Sequence, residues 1–352
     1  MKKQGVSGVK IAMVYIGTVV GAGFATGQEI LQFFVRFGIG GLWGILLSTV
    51  LFVLYGVFIM QLGMRFAAQS HLDILQGIGK AGSVVIDALI MISLFGALTA
   101  MLAGSGALFA EQFGLPATLG SAIMGVLTAM TVLRGLKGVI DAISAVVPFL
   151  IVSVIGISVF TLLNPPTEAP VAIVTTQGGL FGNWLWAAIL YASYNILMSA
   201  AVLAPLGAVA DDRRAVYRGG ALGGIGLGAA SLLIYLALSA SSAETRGLEV
   251  PLLHLARQIA PLAGALFSVV LLAEIYTTAV GGLYGFSARL AGRLGLQMSS
   301  KIIGATILAF LASLLGFSNL VRTLYPLQGY GGILFLLAIL YLRFRQTRSA
   351  PR

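Results

Sequence analysis

The stretch Val19-Val20-Gly21-Ala22-Gly23-Phe24-Ala25-Thr26-Gly27-Gln28-Glu29 decides the fold of this chain. It lies in an apolar run over residues 11–34, which as a helix would be about 36 Å long and would cross a bilayer. Three glycines within seven residues lower the cost of leaving the helix, and unwound backbone at membrane depth must face protein or a wet cavity. The stretch therefore predicts a spanning helix that is interrupted beside a cavity.

The composition of the whole chain is that of an integral membrane protein. Of 352 residues, 59% are hydrophobic and 9% are charged, with a mean hydropathy of +1.01, whereas soluble domains carry roughly a quarter charged residues. Repeated apolar runs of about 20 residues favour helices over a barrel, so we predict an all-α protein in a lipid bilayer. The absence of cysteine excludes disulfides and thiolate metal sites. Basic loops explain the net charge of +10 without a nucleic-acid partner.

Hydropathy divides the chain into ten predicted spans. They cover approximately residues 8–35, 40–64, 82–110, 117–133, 138–163, 183–209, 219–241, 262–288, 301–316 and 323–342. An even number of spans places both termini on the same side of the membrane. Under this assignment 17 of the 21 Lys and Arg residues fall on that side, and the other four are Arg36, Arg246, Arg257 and Arg322. This asymmetry predicts a protein of the plasma (cytoplasmic) membrane with both termini cytoplasmic.

A proline-containing linker over residues 164–182 divides the chain almost at its middle. It separates a first five-helix repeat, residues 1–163, from a second, residues 183–352. An odd number of spans in each half gives the halves opposite topology, so we expect an inverted repeat that forms a single transport domain. Span 6 is then the counterpart of span 1, and we predict that it is also discontinuous at its polar centre. That centre contains Tyr191, Ser193, Tyr194 and Asn195.

Two glutamates within the predicted spans are candidate ion-coupling residues. Glu29 follows the glycine-rich break, and Glu274 lies about midway along span 8. Thr277 and Thr278 follow Glu274 at helical spacing and share its face of the helix. Carboxylate and hydroxyl oxygens suit a hard cation, and a carboxylate can also carry a proton. The alternative is that both threonines bond to the preceding turn and Glu274 bridges helices.

The predicted inner ends of the spans carry further charged residues. Lys80 is placed to pair with Asp87, and Lys137 with Asp141, which favours structural ion pairs at an inner gate. His71 lies in an inner loop, where we expect it to be solvated.

Two patterns outside these sites concern packing. Glycines recur four residues apart, at positions 40 and 44, 220, 224 and 228, and 281 and 285, and this spacing favours close helix packing over hinges. The amphipathic segment from Pro251 to Arg257 predicts a short surface helix that caps the outer mouth. We find no nucleophile–base motif, so we expect neither an enzyme nor a cofactor.

With these features the chain resembles the bacterial YkvI-type membrane proteins, a family grouped with amino-acid permeases of the amino acid–polyamine–organocation superfamily, whose fold is LeuT-like. The resemblance rests on the segment from Gly21 to Glu29, the ten-span plan and the Thr277-Thr278 pair. It implies a substrate site between two interrupted spans, where N–H groups hold a carboxylate and carbonyls hold an ammonium group. The implied substrate-binding residues are Gly21, Ala22, Gly23, Phe24, Thr26, Tyr191, Ser193, Tyr194 and Asn195.

The same resemblance implies a sodium site between the first span and span 8. Its ligands would be the carbonyls of Gly17, Val20 and Glu274 and the hydroxyls of Thr277 and Thr278. An acidic side chain at position 274 departs from the family pattern and keeps the proton open as the coupling ion. Phe24 stands where some relatives place an asparagine for a second sodium, so we do not expect that second site.

We therefore predict a secondary active transporter that moves a small zwitterionic solute, an amino acid or related amine, by sodium-coupled symport and alternating access. One alternative is a proton-coupled transporter of an organic cation or osmolyte. The other is a non-transporting membrane scaffold or sensor.

Overall fold

The computed structural model describes residues 6–75, 78–134, 137–165, 182–245, 247–291 and 297–348, and these residues form helices joined by loops. The helices are α1 (Gly8–Val19), α2 (Ala22–Ala25), α3 (Gln28–Phe33), α4 (Ile39–Phe66), α5 (His71–Leu75), α6 (Gly79–Phe113), α7 (Ala117–Leu133), α8 (Lys137–Leu163), α9 (Trp184–Ala208), α10 (Arg213–Ala240), α11 (Ser242–Thr245), α12 (Pro251–Ile259), α13 (Pro261–Ala291), α14 (Met298–Ser313) and α15 (Phe317–Arg348). A short 3₁₀ helix over Val35–Phe37 joins α3 to α4.

The predicted all-α membrane fold is confirmed. Within the described residues, six helices are long and apolar enough to cross a membrane, namely α4, most of α6, α9, α10, α13 and most of α15. Four shorter apolar helices lie at Gly8–Val19, Ala117–Leu133, Pro148–Leu163 and Met298–Ser313. Together they occupy the positions of the ten predicted spans. That all ten cross the bilayer, and that the halves form an inverted repeat, stay predictions, and residues 166–181 of the predicted linker lie outside the described residues.

The glycine-rich stretch divides the first span into three helical pieces. Helix α1 ends at Val19, and Val20 and Gly21 are extended, with ψ angles of 95° and −172°. Helix α2 then turns once before Gly27, whose φ of +81° lies in the left-handed region that favours glycine. The Thr26 hydroxyl donates to the carbonyl of Gly23 at 2.9 Å and so closes this turn with a side chain. The chain is thus non-helical at Gly21 and Gly27, two of the three glycines of the stretch.

The prediction that span 6 is also discontinuous is wrong, because α9 is one helix from Trp184 to Ala208. The sequence holds no glycine between Gly182 and Gly207, so no residue there lowers the cost of unwinding. The polar side chains at the centre of α9 form hydrogen bonds within the helix and do not interrupt its backbone. The Asn195 amide donates to the carbonyl of Tyr191 at 3.0 Å, one turn earlier. Of these two spans, the first is therefore the one in which the helix is interrupted.

Helix α9 runs through the middle of the bundle between α4 and α15, and most of its residues are buried. Close approach to α4 depends on glycines, since a methyl group at Gly63 or Gly207 would collide with a backbone carbonyl of the other helix. Glycines 220, 224 and 228 of α10 likewise face Val57, Val53 and Thr49 of α4. This close packing confirms the packing interpretation of the α10 glycines. The result is a rigid centre against which the broken first span lies.

Candidate functional site

The broken span meets α9 through Glu29. The Tyr194 hydroxyl donates a short hydrogen bond to the Glu29 carboxylate, although 165 residues separate the two in sequence. Both side chains are about 5% exposed. The same carboxyl group lies against the backbone of Gly23, where an added Cβ would be 2.9 Å from Cδ of Glu29. Glu29 therefore connects Gly23 and Tyr194, two residues that the sequence assigned to the substrate site.

Aromatic rings surround Tyr194, the hydrogen-bond partner of this carboxylate. The ring of Tyr194 lies 5.1 Å from that of Tyr325, 5.7 Å from that of Tyr191 and 5.7 Å from that of Phe33, measured between centroids. Phe34 packs edge-on against Tyr191 at 4.8 Å. These five rings are nearly or fully buried. The hydroxyl that bonds to the carboxylate thus belongs to a cluster of buried aromatic rings.

Other residues of the predicted substrate set take different roles. The Ser193 hydroxyl donates to the carbonyl of Leu190 at 3.0 Å and lies 2.8 Å from that of Gly329, which directs it towards α15. Ala22 and Phe24 are buried, and the Thr26 hydroxyl is engaged with Gly23.

Gly21 has room beside it. A Cβ added at Gly21 would meet no atom within 4 Å, and the residue is partly exposed. Gly21 is therefore a position at the break with open space next to the backbone.

The predicted ion site contains a second buried carboxylate. Glu274 on α13 is 4% exposed, and among the described residues its Oε2 atom has no hydrogen-bond partner. The Thr278 hydroxyl approaches Oε1 at 3.4 Å, and the Thr277 hydroxyl donates to the Glu274 carbonyl at 3.0 Å. The predicted back-bonding of the threonines is therefore present at Thr277. At the break, no backbone N–H of the described residues donates to the carbonyl of Val20.

The inner charged residues pair differently from the prediction. Asp87 forms an ion pair with Arg289 of α13 at 3.3 Å rather than with Lys80. His71 is buried, not solvated, and its Nε2 atom lies 3.2 Å from the Arg289 guanidinium. Burial, and secondarily the charge of Arg289, lowers the pKa of His71 to about 4. The predicted pair between Lys137 and Asp141 falls on side chains outside the described set.

The predicted short helix is present as α12, which lies against the turn between α2 and α3; that it caps an outer mouth stays a prediction. The N–H of Leu252 on this helix donates to the carbonyl of Thr26 at 3.0 Å. The segment before α12 is held by Glu111 of α6, whose carboxylate accepts from the N–H groups of Glu249 at 2.6 Å and Val250 at 3.2 Å. Sequence reasoning missed Glu111, because its partners are backbone groups 138 and 139 residues away and leave no pattern near it.

Solved structures with the LeuT-like fold resemble this arrangement. An inward-facing structure of Mhp1 matches with a TM-score of 0.64 and 15% identity over 93% of this chain and 74% of the other. A Na⁺-coupled sialic acid symporter matches with a TM-score of 0.64 and 13% identity over 95% of this chain and 79% of the other. MhsT in complex with L-phenylalanine matches with a TM-score of 0.59 and 15% identity over 95% of this chain and 89% of the other. At these identities the likeness shows the fold alone.

Sequence relatives extend over the whole chain. No protein-family model matches it. The protein YyaD of Bacillus subtilis (strain 168) is 25% identical over 95% of this chain and 96% of its own length. The membrane protein YkvI of the same organism is 31% identical over 99% of this chain and 100% of its own length. An apolar helical bundle matched from end to end at this identity places the chain in the family of the membrane protein YkvI.

Proposed function

We propose that this protein is a secondary transporter that moves a small solute bearing an ammonium group, an amino acid or related amine, across the plasma membrane by alternating access. The observation that carries the proposal is the break at Val20 and Gly21, in a bundle that also holds two buried carboxylates, Glu29 and Glu274, with no ion pair to a basic side chain among the described residues. A buried carboxylate without a basic partner is costly in a membrane and is by default a functional residue. Non-helical backbone at membrane depth likewise indicates a functional site.

Known transporters with this fold support the proposal by analogy. The Na⁺-coupled sialic acid symporter and the MhsT complex with L-phenylalanine each handle a small solute. Fold-level analogy raises the expectation of transport but names no solute for this chain.

We further propose that a cation coupled to transport binds at Glu274. Sodium would be held by the carbonyls of Gly17, Val20 and Glu274 and by the hydroxyls of Thr277 and Thr278. The unpartnered Oε2 atom of Glu274 supports a cation or a proton at this place. The carbonyl of Val20, to which no described backbone N–H donates, supplies a further oxygen.

The proposed orientation places both termini in the cytoplasm. Its support is that side-chain interactions join residues assigned to the same face. His71, Asp87 and Arg289 cluster on the predicted inner side. Glu111 and Arg257 meet on the predicted outer side, where the Arg257 guanidinium donates to the Glu111 carbonyl at 2.8 Å.

Uptake into proteoliposomes tests the proposal. Purified protein is reconstituted, and influx of radiolabelled amino acids and amines is measured with an inward sodium gradient, an inward proton gradient or neither. We expect at least one solute to accumulate against its gradient and to require one of the two ions. Reconstituted protein that moves no solute under any gradient, and that no solute stabilises against heat, would favour the alternative of a non-transporting scaffold.

A further inference from the structure

The place where the family resemblance puts the carboxylate of a solute already contains a carboxylate of the protein, that of Glu29. The carboxyl group of Glu29 lies against Gly23, on the side of the break that faces Tyr194 of α9. In surroundings that exclude water, a second negative charge close to the first is strongly disfavoured. A solute carboxylate therefore has no favourable position beside Gly23 while Glu29 is ionised.

The surroundings of Glu29 suit a carboxylate that balances the charge of a bound cation. No Lys, Arg or His of the described residues forms an ion pair with it, and the Tyr194 hydroxyl is the polar group that bonds to it. The rings of Phe33, Tyr191 and Tyr325 lie around Tyr194. Aromatic faces attract ammonium groups, and the attraction increases when water is excluded.

We infer that Glu29 is the fixed counter-charge for the ammonium group of the solute, so that the solute is a cationic amine whose binding does not require a carboxylate. This inference rests on the proposed transport function and specifies its substrate class. Tyr194 positions the carboxylate through its hydrogen bond, and the open space beside Gly21 accommodates the rest of the solute. The sequence analysis assigned Glu29 to ion coupling. Its position between Gly23 and Tyr194, two residues of the predicted substrate set, instead supports a role in binding the solute.

Matched pairs of compounds test the substrate class without any mutation. The pairs are phenethylamine with phenylalanine, 3-methylbutylamine with leucine, and choline with betaine, in which the second member carries a carboxylate that the first lacks. Binding to the purified wild-type protein is measured by thermal shift and isothermal titration near neutral pH. We expect the amine to bind about tenfold or more tightly than its partner in at least one pair, because it forms one charge-assisted interaction and brings no repelling charge.

Variants then test whether the preference for the amine depends on Glu29. Glu29→Gln should abolish the preference for the amine, and Tyr194→Phe should weaken amine binding while keeping the volume of the side chain. Glu244→Gln is the matched control, because this glutamate accepts a hydrogen bond from Gln258 and belongs to neither the break nor α9. Size-exclusion profiles establish that each variant is folded.

Two outcomes would overturn the inference, and they are distinguishable. Amino acids that bind more tightly than their amines, with affinity unchanged in Glu29→Gln, would refute the assignment of Glu29 and leave the transport function intact. Absence of binding by all six compounds, together with absence of uptake into proteoliposomes, would overturn the inference and the proposed function together.

Discussion

The close approach of Gly23 and Glu29 predicts that two glycines two residues apart respond oppositely to alanine. A Cβ at Gly23 would lie 2.9 Å from Cδ and 3.1 Å from Cγ of Glu29, so Gly23→Ala forces the carboxylate away from Tyr194. The lost charge-assisted hydrogen bond costs about 1.5–3 kcal/mol. Replacing a helical glycine by alanine raises the free energy of unfolding by about 0.5–1 kcal/mol. The loss of the hydrogen bond exceeds the gain, and we expect a net destabilisation of about 0.5–2.5 kcal/mol.

Gly21→Ala is the matched control. Its Cβ would meet no atom within 4 Å, and a φ of −112° with a ψ of −172° is extended backbone that alanine adopts readily. Removing a glycine also restricts the unfolded chain, so we expect this variant to be neutral or slightly more stable than wild type. Equilibrium unfolding in mixed micelles of a non-ionic detergent and SDS would measure both variants without any knowledge of the solute.

A double-mutant cycle with Tyr194→Phe tests the cause of the effect. If Gly23→Ala acts by displacing Glu29 from the tyrosine hydroxyl, its cost should fall by about the energy of that bond once the hydroxyl is gone. Costs that simply add would refute this reasoning, as would a Gly23→Ala variant as stable as Gly21→Ala. In either case Glu29 would not be held against the break by Tyr194.

Three further predictions concern the inner cluster, the open space and the ion site. Because the pKa of His71 is lowered to about 4 from an ordinary 6.5, the unfolded chain binds more protons between these values, and stability should fall as the pH drops from about 6.5 to about 4. His71→Gln should flatten this part of a melting-temperature profile, and an unchanged profile would argue against a neutral buried His71. Gly21→Leu fills the open space and should abolish amine binding in titration calorimetry while the protein stays folded; affinity equal to wild type would move the solute elsewhere. Sodium, but not potassium, should raise the melting temperature of the wild type, and Thr277→Ala with Thr278→Ala should remove that shift, whereas a shift retained in the double variant would exclude these hydroxyls as ligands.

The interruption of the first span could be predicted from the sequence because its cause is local. Glycine lowers the cost of leaving the helix at the residue where it stands, so a cluster of glycines marks the place without knowledge of the rest of the chain. The structure is extended at Gly21 and left-handed at Gly27. The prediction for span 6 had no such local cause. It was transferred by symmetry from span 1, and serine and asparagine at its centre are accommodated within a regular helix.

The pairing of polar side chains could not be predicted, since it depends on how helices distant in sequence come together. Lys80 is close to Asp87 along the chain, yet Arg289, about two hundred residues away, is the ionic partner in the structure. His71 was expected to be solvated because it lies beside Asp73 in a predicted inner loop, whereas in the structure it belongs to the short helix α5 and is buried. The hydrogen bond between Tyr194 and Glu29 is of the same kind.

The two buried carboxylates differ in their surroundings, and this difference bears on how the proposed cycle balances charge. Glu29 is held by a tyrosine hydroxyl that lies among aromatic rings, which suits an organic ammonium group. Glu274 has one carboxylate oxygen without a hydrogen-bond partner among the described residues, and the Thr278 hydroxyl approaches the other, which suits a small ion. With both carboxylates ionised, a cationic solute and one coupling cation would leave the loaded protein without unpaired charge at membrane depth. A zwitterion with one cation would leave one negative charge there. Because a charge at the membrane centre costs several kcal/mol, the loaded state with a cationic solute is the one that can change conformation most readily.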